Sequence, residues 1–302
     1  MRLIFLIVIF VIFLSTFITE IFLKKVGLGD PVRYDSNILY GYSPKPNQKK
    51  KRIKGSFVTI NEIGLRSLYS WKNDKKKIIF LGDSVTYGGS YIDDSDIFSH
   101  QVCKNLKNFT CGNAGVNAYS LKNIVMRSRY DERIQDAEIY VYLFPPGDFY
   151  REYSDSLTAH FYLNGKKFFL PGIFEALSFV FTRYDINKFI SKYDDTIHNE
   201  KDYFKLIDYS IEILKNEIEN KKNNQKKVYI LLSNEKNDKD YKDKLNKYVK
   251  DRLSEEIGDL ILLNDVLNND NFFYDESVHF NAIGHKFVAE KILRTIKNDL
   301  SH

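Results

Sequence analysis

Five short apolar segments recur along the chain: Lys77–Leu81, Phe109–Gly112, Ile139–Phe144, Lys227–Leu232 and Leu260–Leu263. Each is rich in Ile, Val, Leu or Tyr and is bounded mostly by charged or turn residues, the pattern of a strand. Longer stretches between them read as helices: Asp96–Leu106, Leu121–Arg133, Tyr203–Glu219, Lys239–Leu253 and Asn281–Lys297. In Tyr203–Glu219 the apolar residues Phe204, Ile207, Ile211, Leu214 and Ile218 advance in steps of three and four, which keeps them on one helical face. Regular strand–helix alternation predicts a five-stranded parallel sheet with helices on both faces, an α/β architecture. In such sheets the crossovers are right-handed, and ligands bind beyond the carboxyl ends of the strands.

Two regions fall outside this alternation. Leu3 to Leu23 is apolar except for Ser15, Thr16, Thr19 and Glu20. At about 1.5 Å rise per residue it spans roughly 30 Å, enough to cross a bilayer. Ile18-Thr19-Glu20-Ile21-Phe22 has no small-x-small cleavage pattern, so residues 1–25 read as an uncleaved transmembrane anchor. Arg2 on one side and Lys24 and Lys25 on the other leave its orientation nearly balanced. Residues 26–70 read as an extended entry segment with a strand at Ser56–Asn61, packed against a main domain of residues 71–302. Tyr150 to Thr196 is too long for an ordinary connection and is rich in aromatic residues (Phe161, Tyr162, Phe168, Phe169, Phe174, Phe179 and Phe181). It reads as an insertion over about residues 150–200, beside the site or against the membrane.

Length and composition fit one large domain with additions: 302 residues, 43% apolar and 28% charged. The net charge of +5 is modest and the lysine clusters, such as Lys49-Lys50-Lys51-Arg52, are scattered. They read as solvated surface, and nucleic acid is not an expected partner. Cys103 and Cys111 are close enough in sequence to meet at a helix–strand corner, either as a disulfide or as two buried thiols. With the anchor, this places the expected domain outside the cytoplasm.

Four segments at or just beyond predicted strand ends carry candidate chemistry. Gly82-Asp83-Ser84 sets a serine at a strand-to-helix turn, where its backbone N–H can face a developing oxyanion. Gly112-Asn113-Ala114-Gly115-Val116-Asn117 follows the second strand, and Gly115 can present a bare N–H. Phe144-Pro145-Pro146-Gly147-Asp148 ends the third. Tyr274-Asp275-Glu276-Ser277-Val278-His279 sets a histidine just after two carboxylates, and Asn281 can cap the helix that follows. A serine, a histidine and a carboxylate are the parts of a hydrolytic triad. Asp83, Asn117 and Asp148 are candidate substrate contacts.

On these motifs the chain resembles the SGNH hydrolases, or GDSL esterases and lipases. Gly82-Asp83-Ser84 corresponds to the nucleophile block, Gly115 to the glycine block and Asp275…His279 to the acid–histidine block, continued by Asn281-x-x-Gly284-His285. Asn61-Glu62-Ile63-Gly64-Leu65-Arg66 resembles the lead-in of membrane-anchored bacterial members acting outside the cytoplasm. The resemblance covers about Ile78 to Ile296, with the insertion unmatched. It implies a flavodoxin-like three-layer α/β/α sandwich, no metal and no cofactor, and ester cleavage through an acyl-serine on Ser84. His279 would be the base, Asp275 or Glu276 the acid, and Ser84 and Gly115 the oxyanion donors. The expected activity is removal of acyl groups, O-acetyl among them, from a carbohydrate or lipid-linked ester. An O-acyltransferase of surface glycan and a non-catalytic glycan-binding protein are the alternatives. Two departures stand out. Gly147 occupies the position where the family has an asparagine oxyanion donor, a loss worth about 10²–10³ in turnover. Glu276, not Asp275, keeps the family's two-residue spacing to His279.

Overall fold

The computed structural model describes residues 2–154, 170–183, 200–233, 240–257, 260–263, 270–274 and 278–301. Its centre is a five-stranded parallel sheet of β5 (Lys76–Gly82), β6 (Phe109–Asn113), β7 (Ile139–Phe144), β8 (Lys227–Leu232) and β9 (Leu260–Leu262). The spatial order is β6-β5-β7-β8-β9, with every pairing parallel. This is the flavodoxin-like order, in which the chain leaves the first strand to one side and then crosses to the other. The crossing point is at the carboxyl end of β5.

The pleat sorts the side chains to two faces. Ile78 and Phe80 of β5, with Ile139, Val141 and Leu143 of β7, pack on one face. That face is covered by α3 (Phe98–Lys104), through Phe98 and Val102, and by the C-terminal helix α8 (Ala282–Leu300), through Val288, Ile292 and Ile296. Ile79, Leu81, Tyr140, Tyr142 and Phe144 point the other way. They meet α4 (Leu121–Tyr130), α6 (Glu200–Asn223) and α7 (Asp240–Ile257). The stripe Ile207, Ile211, Leu214 and Ile218 of α6 is buried there, as its spacing predicts. Full burial of each such side chain contributes about 1.5–3 kcal/mol. These layers form the α/β/α sandwich that the alternation implies.

A polar network is buried between α4, α6 and β7. Glu217 of α6 accepts from Ser128 Oγ of α4 at 2.7 Å and from Arg129 Nε at 3.1 Å, and Ser128 also bonds the Tyr142 hydroxyl at 2.6 Å. Cys103 and Cys111 are buried free thiols, and burial pushes the Cys111 thiol well above its ordinary range.

Before the sheet come two antiparallel hairpins, β1 (Tyr34–Asn37) with β2 (Gly41–Pro44), and β3 (Gln48–Lys51) with β4 (Phe57–Ile60). Arg66 then bridges Ile60 and Asn113, which joins the second hairpin to the end of the outer strand β6. Tyr34, Tyr42, Val58, Ile60 and Leu65 belong to the same core as α4 and β7.

At the N-terminus α1 (Arg2–Lys25) is long and apolar enough to span a membrane, with mean hydropathy 2.7 in its most apolar window. Within the inserted region, α5 (Pro171–Arg183) is described and carries Phe174. Residues 155–169 and 184–199, with Phe161, Tyr162, Phe168 and Phe169, lie outside the described residues, as do the side chains of Phe179 and Phe181.

Candidate active site

β5 ends at Gly82 and the chain turns at once into a four-residue helix, α2 (Ser84–Tyr87). Asp83 is its N-cap, and Oδ1 accepts the Val85 N–H at 2.8 Å. Ser84 is the first helical residue, so its own N–H has no acceptor within the helix. Its hydroxyl stands beyond the carboxyl end of β5, where the strand order reverses.

From the far end of the chain, His279 meets this serine. Ser84 Oγ and His279 Nε2 are 3.0 Å apart across 195 positions of sequence. The turn holding the histidine is closed by backbone bonds. Tyr274 N–H donates to the His279 carbonyl at 2.8 Å, Asn281 N–H to the Phe272 carbonyl at 2.9 Å, and Phe273 pairs with Phe280. Asn281 caps α8 as its position suggests, accepting from the Ile283 and Gly284 N–H groups at 2.9 and 3.0 Å. Its Nδ2 donates to the Asn271 carbonyl at 2.6 Å and the Phe273 carbonyl at 3.2 Å, tying the cap to the other limb of the turn. Asp275 and Glu276, the two candidate acids, lie outside the described residues.

Three of the expected site residues make specific contacts in the structure. The Gly115 N–H, the expected oxyanion donor, is donated to Asn113 Oδ1 at 2.9 Å. This glycine serves close packing: a Cβ there would stand 2.4 Å from the Tyr87 backbone nitrogen. Asp83 is buried, and its carboxylate is used on the Val85 N–H, on Ser84 Oγ at 3.4 Å and on Arg151 at 3.5 Å. Asp148 is likewise buried and pairs with Arg151 at 3.1 Å. Asn117 remains half-buried in the loop beyond β6; its carbonyl accepts from the Tyr42 hydroxyl at 2.7 Å. Gly147 lies in the 3-10 turn Pro146–Phe149 and brings no side-chain donor.

Arg151 is the residue that sequence reading missed. Its guanidinium stands on the same Asp83 oxygen, Oδ2, that Ser84 Oγ approaches, and donates to the Tyr119 carbonyl at 2.7 Å. Its side chain is 39% exposed. The only signal in the sequence is its place three residues after Asp148, a spacing common enough to pass unnoticed. The preceding loop is held in an unusual form, with Ala118 at φ +63° and its carbonyl accepting from Ser154 Oγ at 2.6 Å.

Other groups shape the surroundings. Arg66 is buried behind α2, bonded to Asp94 at 2.9 Å and to the carbonyls of Tyr87, Gly89 and Ile92 at 2.8, 2.6 and 2.6 Å. His285 of α8 accepts the Phe98 N–H at 3.3 Å through Nδ1. Burial first, and then the Arg66 charge, push its pKa down to about 3, so it is a neutral structural histidine. Burial raises the Tyr42 phenol to about 12, against a lowering by the Arg151 charge. Beside the histidine, Tyr91 and Tyr274 stack at 3.8 Å, with Lys54 Nζ 4.3 Å from the Tyr274 ring centroid.

No family model and no curated protein matches the chain. Among solved structures it is similar to a lipase/acylhydrolase from Enterococcus faecalis, at 14% identity and TM-score 0.43, over 74% of this chain and 96% of the other. It is similar to an acetylxylan esterase from Geobacillus stearothermophilus, at 16% identity and TM-score 0.42, over 72% and 93%. A third is a family two carbohydrate esterase from Clostridium thermocellum, at 14% identity and TM-score 0.43, over 78% and 67%.

Proposed function

We propose that this chain is a membrane-anchored serine esterase of the SGNH type, which removes acyl groups from a carbohydrate or lipid-linked ester. One observation carries the reading: Ser84 Oγ lies 3.0 Å from His279 Nε2 at the carboxyl end of the first sheet strand. A nucleophile within hydrogen-bond reach of a base, at the topological switch point of a doubly wound sheet, is the geometry that acyl transfer needs.

In this mechanism the Ser84 hydroxyl donates to Nε2 and attacks the ester carbonyl as His279 takes its proton. Asp275 or Glu276 orients the imidazole and balances its charge. The tetrahedral oxyanion is stabilised by the Ser84 N–H, which has no helical acceptor. With the Gly115 N–H donated to Asn113 and no side chain at Gly147, this reading assigns the second donor to Arg151, whose guanidinium meets the Asp83 oxygen that Ser84 Oγ approaches and also pairs with Asp148. His279 then returns the proton to the leaving alcohol, and the acyl-serine remains. Water, deprotonated by the same histidine, attacks the acyl group, releases the carboxylic acid and restores Ser84.

The substrate class follows from surroundings. An apolar helix long enough to span a bilayer precedes the domain, which favours an ester at the membrane surface. In this reading the domain lies outside the cytoplasm, which the resemblance of Asn61–Arg66 to the lead-in of exported members supports.

The test is hydrolysis of p-nitrophenyl acetate and of acetylated glycans by the full chain and by Ser84→Ala. The variant is expected to lose at least about 10³-fold in kcat and to lose covalent labelling by a fluorophosphonate. Wild-type rates in the variant overturn the assignment. Acyl transfer to added glycan that outruns hydrolysis reassigns the enzyme as an acyltransferase.

A further inference from the structure

Helix α1 is joined to the folded domain. Glu20, near its C-terminal end, is buried at 4% exposure. Its carboxylate accepts the N–H groups of Gly172 and Ile173, each at 3.0 Å, in the first turn of α5. Those groups have no partner within their own helix, and a carboxylate there also meets the positive end of the helix dipole. The helices approach closely because Gly172 lacks a side chain: a Cβ would stand 3.0 Å from both Glu20 Oε2 and Leu23 Cβ. Thr16 and Leu23 are half-buried and lie four residues before and three after Glu20, so one stripe of α1 faces the domain. On the far side of the joint, Glu175 of α5 is also buried. It accepts the Gly29 N–H at 2.6 Å and pairs with the buried Arg52. A leader that is cut away would leave the start of α5 without its acceptor.

The outer surface of α5 continues the character of α1. Its thirteen residues, Pro171–Arg183, include only two charges, Glu175 and Arg183. Glu175 is turned inward to Arg52. Leu177 and Val180, three apart, are 49% and 46% exposed. A helix facing water presents its polar side outward; α5 presents leucine and valine. On α1, the helix joined to it through Glu20, Phe13, Leu14, Phe17 and Ile18 are exposed as well.

We propose that α5 lies in the membrane against the C-terminal part of α1. Bilayer acyl chains cover Leu177 and Val180, and the Glu20–Gly172 joint fixes the height and orientation of the domain over the lipid. The inference rests on the reading of α1 as a membrane span. A built joint between a membrane-spanning helix and a second helix that exposes apolar side chains is what selects lipid as the occupant.

The test uses the full chain in phosphatidylcholine–phosphatidylglycerol vesicles, with Cys103 and Cys111 replaced by alanine and single cysteines carrying bimane at positions 12, 177, 180 and 209. Ile12 lies in α1; Tyr209, 50% exposed on the charged helix α6, is the aqueous control. Doxyl lipids are expected to quench positions 12, 177 and 180, and to leave 209 bright. An unquenched position 12 defeats the membrane reading itself. Quenching at 12 with free reaction of 177 and 180 toward an aqueous maleimide defeats this inference alone. Protection of 177 and 180 without lipid quenching means a protein surface covers them, and also overturns it. Glu20→Ala, with circular dichroism verifying the fold, is expected to lower quenching at 177 and 180 while position 12 stays quenched. Unchanged quenching in that variant removes the joint from the proposal.

Discussion

At the scale of single residues, the candidate site is a serine and a histidine supported by groups that have other work. Asp83 both caps α2 and holds Arg151, and Asn113 takes the glycine N–H that the motif assigned to the oxyanion. If Arg151 stabilises negative charge at the reacting centre, Arg151→Met lowers kcat for acetyl esters by roughly 10²-fold with a smaller change in KM. A purely structural arginine would instead show an unchanged kcat and a lower unfolding temperature. Arg151→Lys should recover only part of the rate, since an ammonium cannot span Asp83, Asp148 and the Tyr119 carbonyl with one fork.

At the scale of elements, the entry segment does more than lead into the sheet. Arg66 pairs through its backbone with Asn113 at the edge of β6, and its side chain clamps the loop that follows α2. It therefore joins the second hairpin to the turn that carries Ser84. Arg66→Met leaves Asp94 buried without its ion pair, although Thr59 N–H still donates to it at 2.7 Å. The expected loss in a urea titration is about 3–5 kcal/mol. Wild-type stability in that variant would show that the clamp contributes nothing. The predicted helices and strands lie close to those observed because each is bounded by residues that end it locally. Ile139–Phe144 and Lys227–Leu232 coincide with β7 and β8. The later part of Leu121–Arg133 is instead a separate 3-10 turn, Glu132–Ile134. Asp131 divides them: its carboxylate accepts the Arg133 N–H at 3.3 Å and pairs with Arg127, side-chain bonds that no apolar periodicity reports.

At the scale of the whole molecule, acid stability depends on a histidine outside the chemistry. His285 is enclosed between α8 and α3, facing Arg66, Gly88, Phe98 and His279. In the unfolded chain it titrates near about 6.5; in the fold its pKa is about 3. Between these values the unfolded state binds the extra proton, so stability is full above the upper value and falls as the pH drops toward the lower. The slope approaches about 1.4 kcal/mol per pH unit from this one group. His285→Gln keeps an acceptor for the Phe98 N–H and cannot take the proton. Its thermal unfolding temperature should therefore decline less than that of the wild type across this range. Parallel declines would remove His285 as a source of acid sensitivity.

The sequence by itself determined the layers: five apolar strands, the amphipathic helices between them and an apolar N-terminal helix are local patterns, and hydrophobic burial leaves few other ways to arrange them. It also named the serine and the histidine, since a turn residue after a strand and a capped helix start are local features too. What only the tertiary structure decided was what each polar group meets. The use of Gly115 N–H by Asn113, the position of Arg151 on the Asp83 carboxylate, and the burial of Glu20 against the first turn of α5 all depend on contacts between distant segments. Hydrogen bonds are directional and short in range, so a donor is available or committed according to a neighbour within about 3.5 Å. Spacing along the chain does not carry that information.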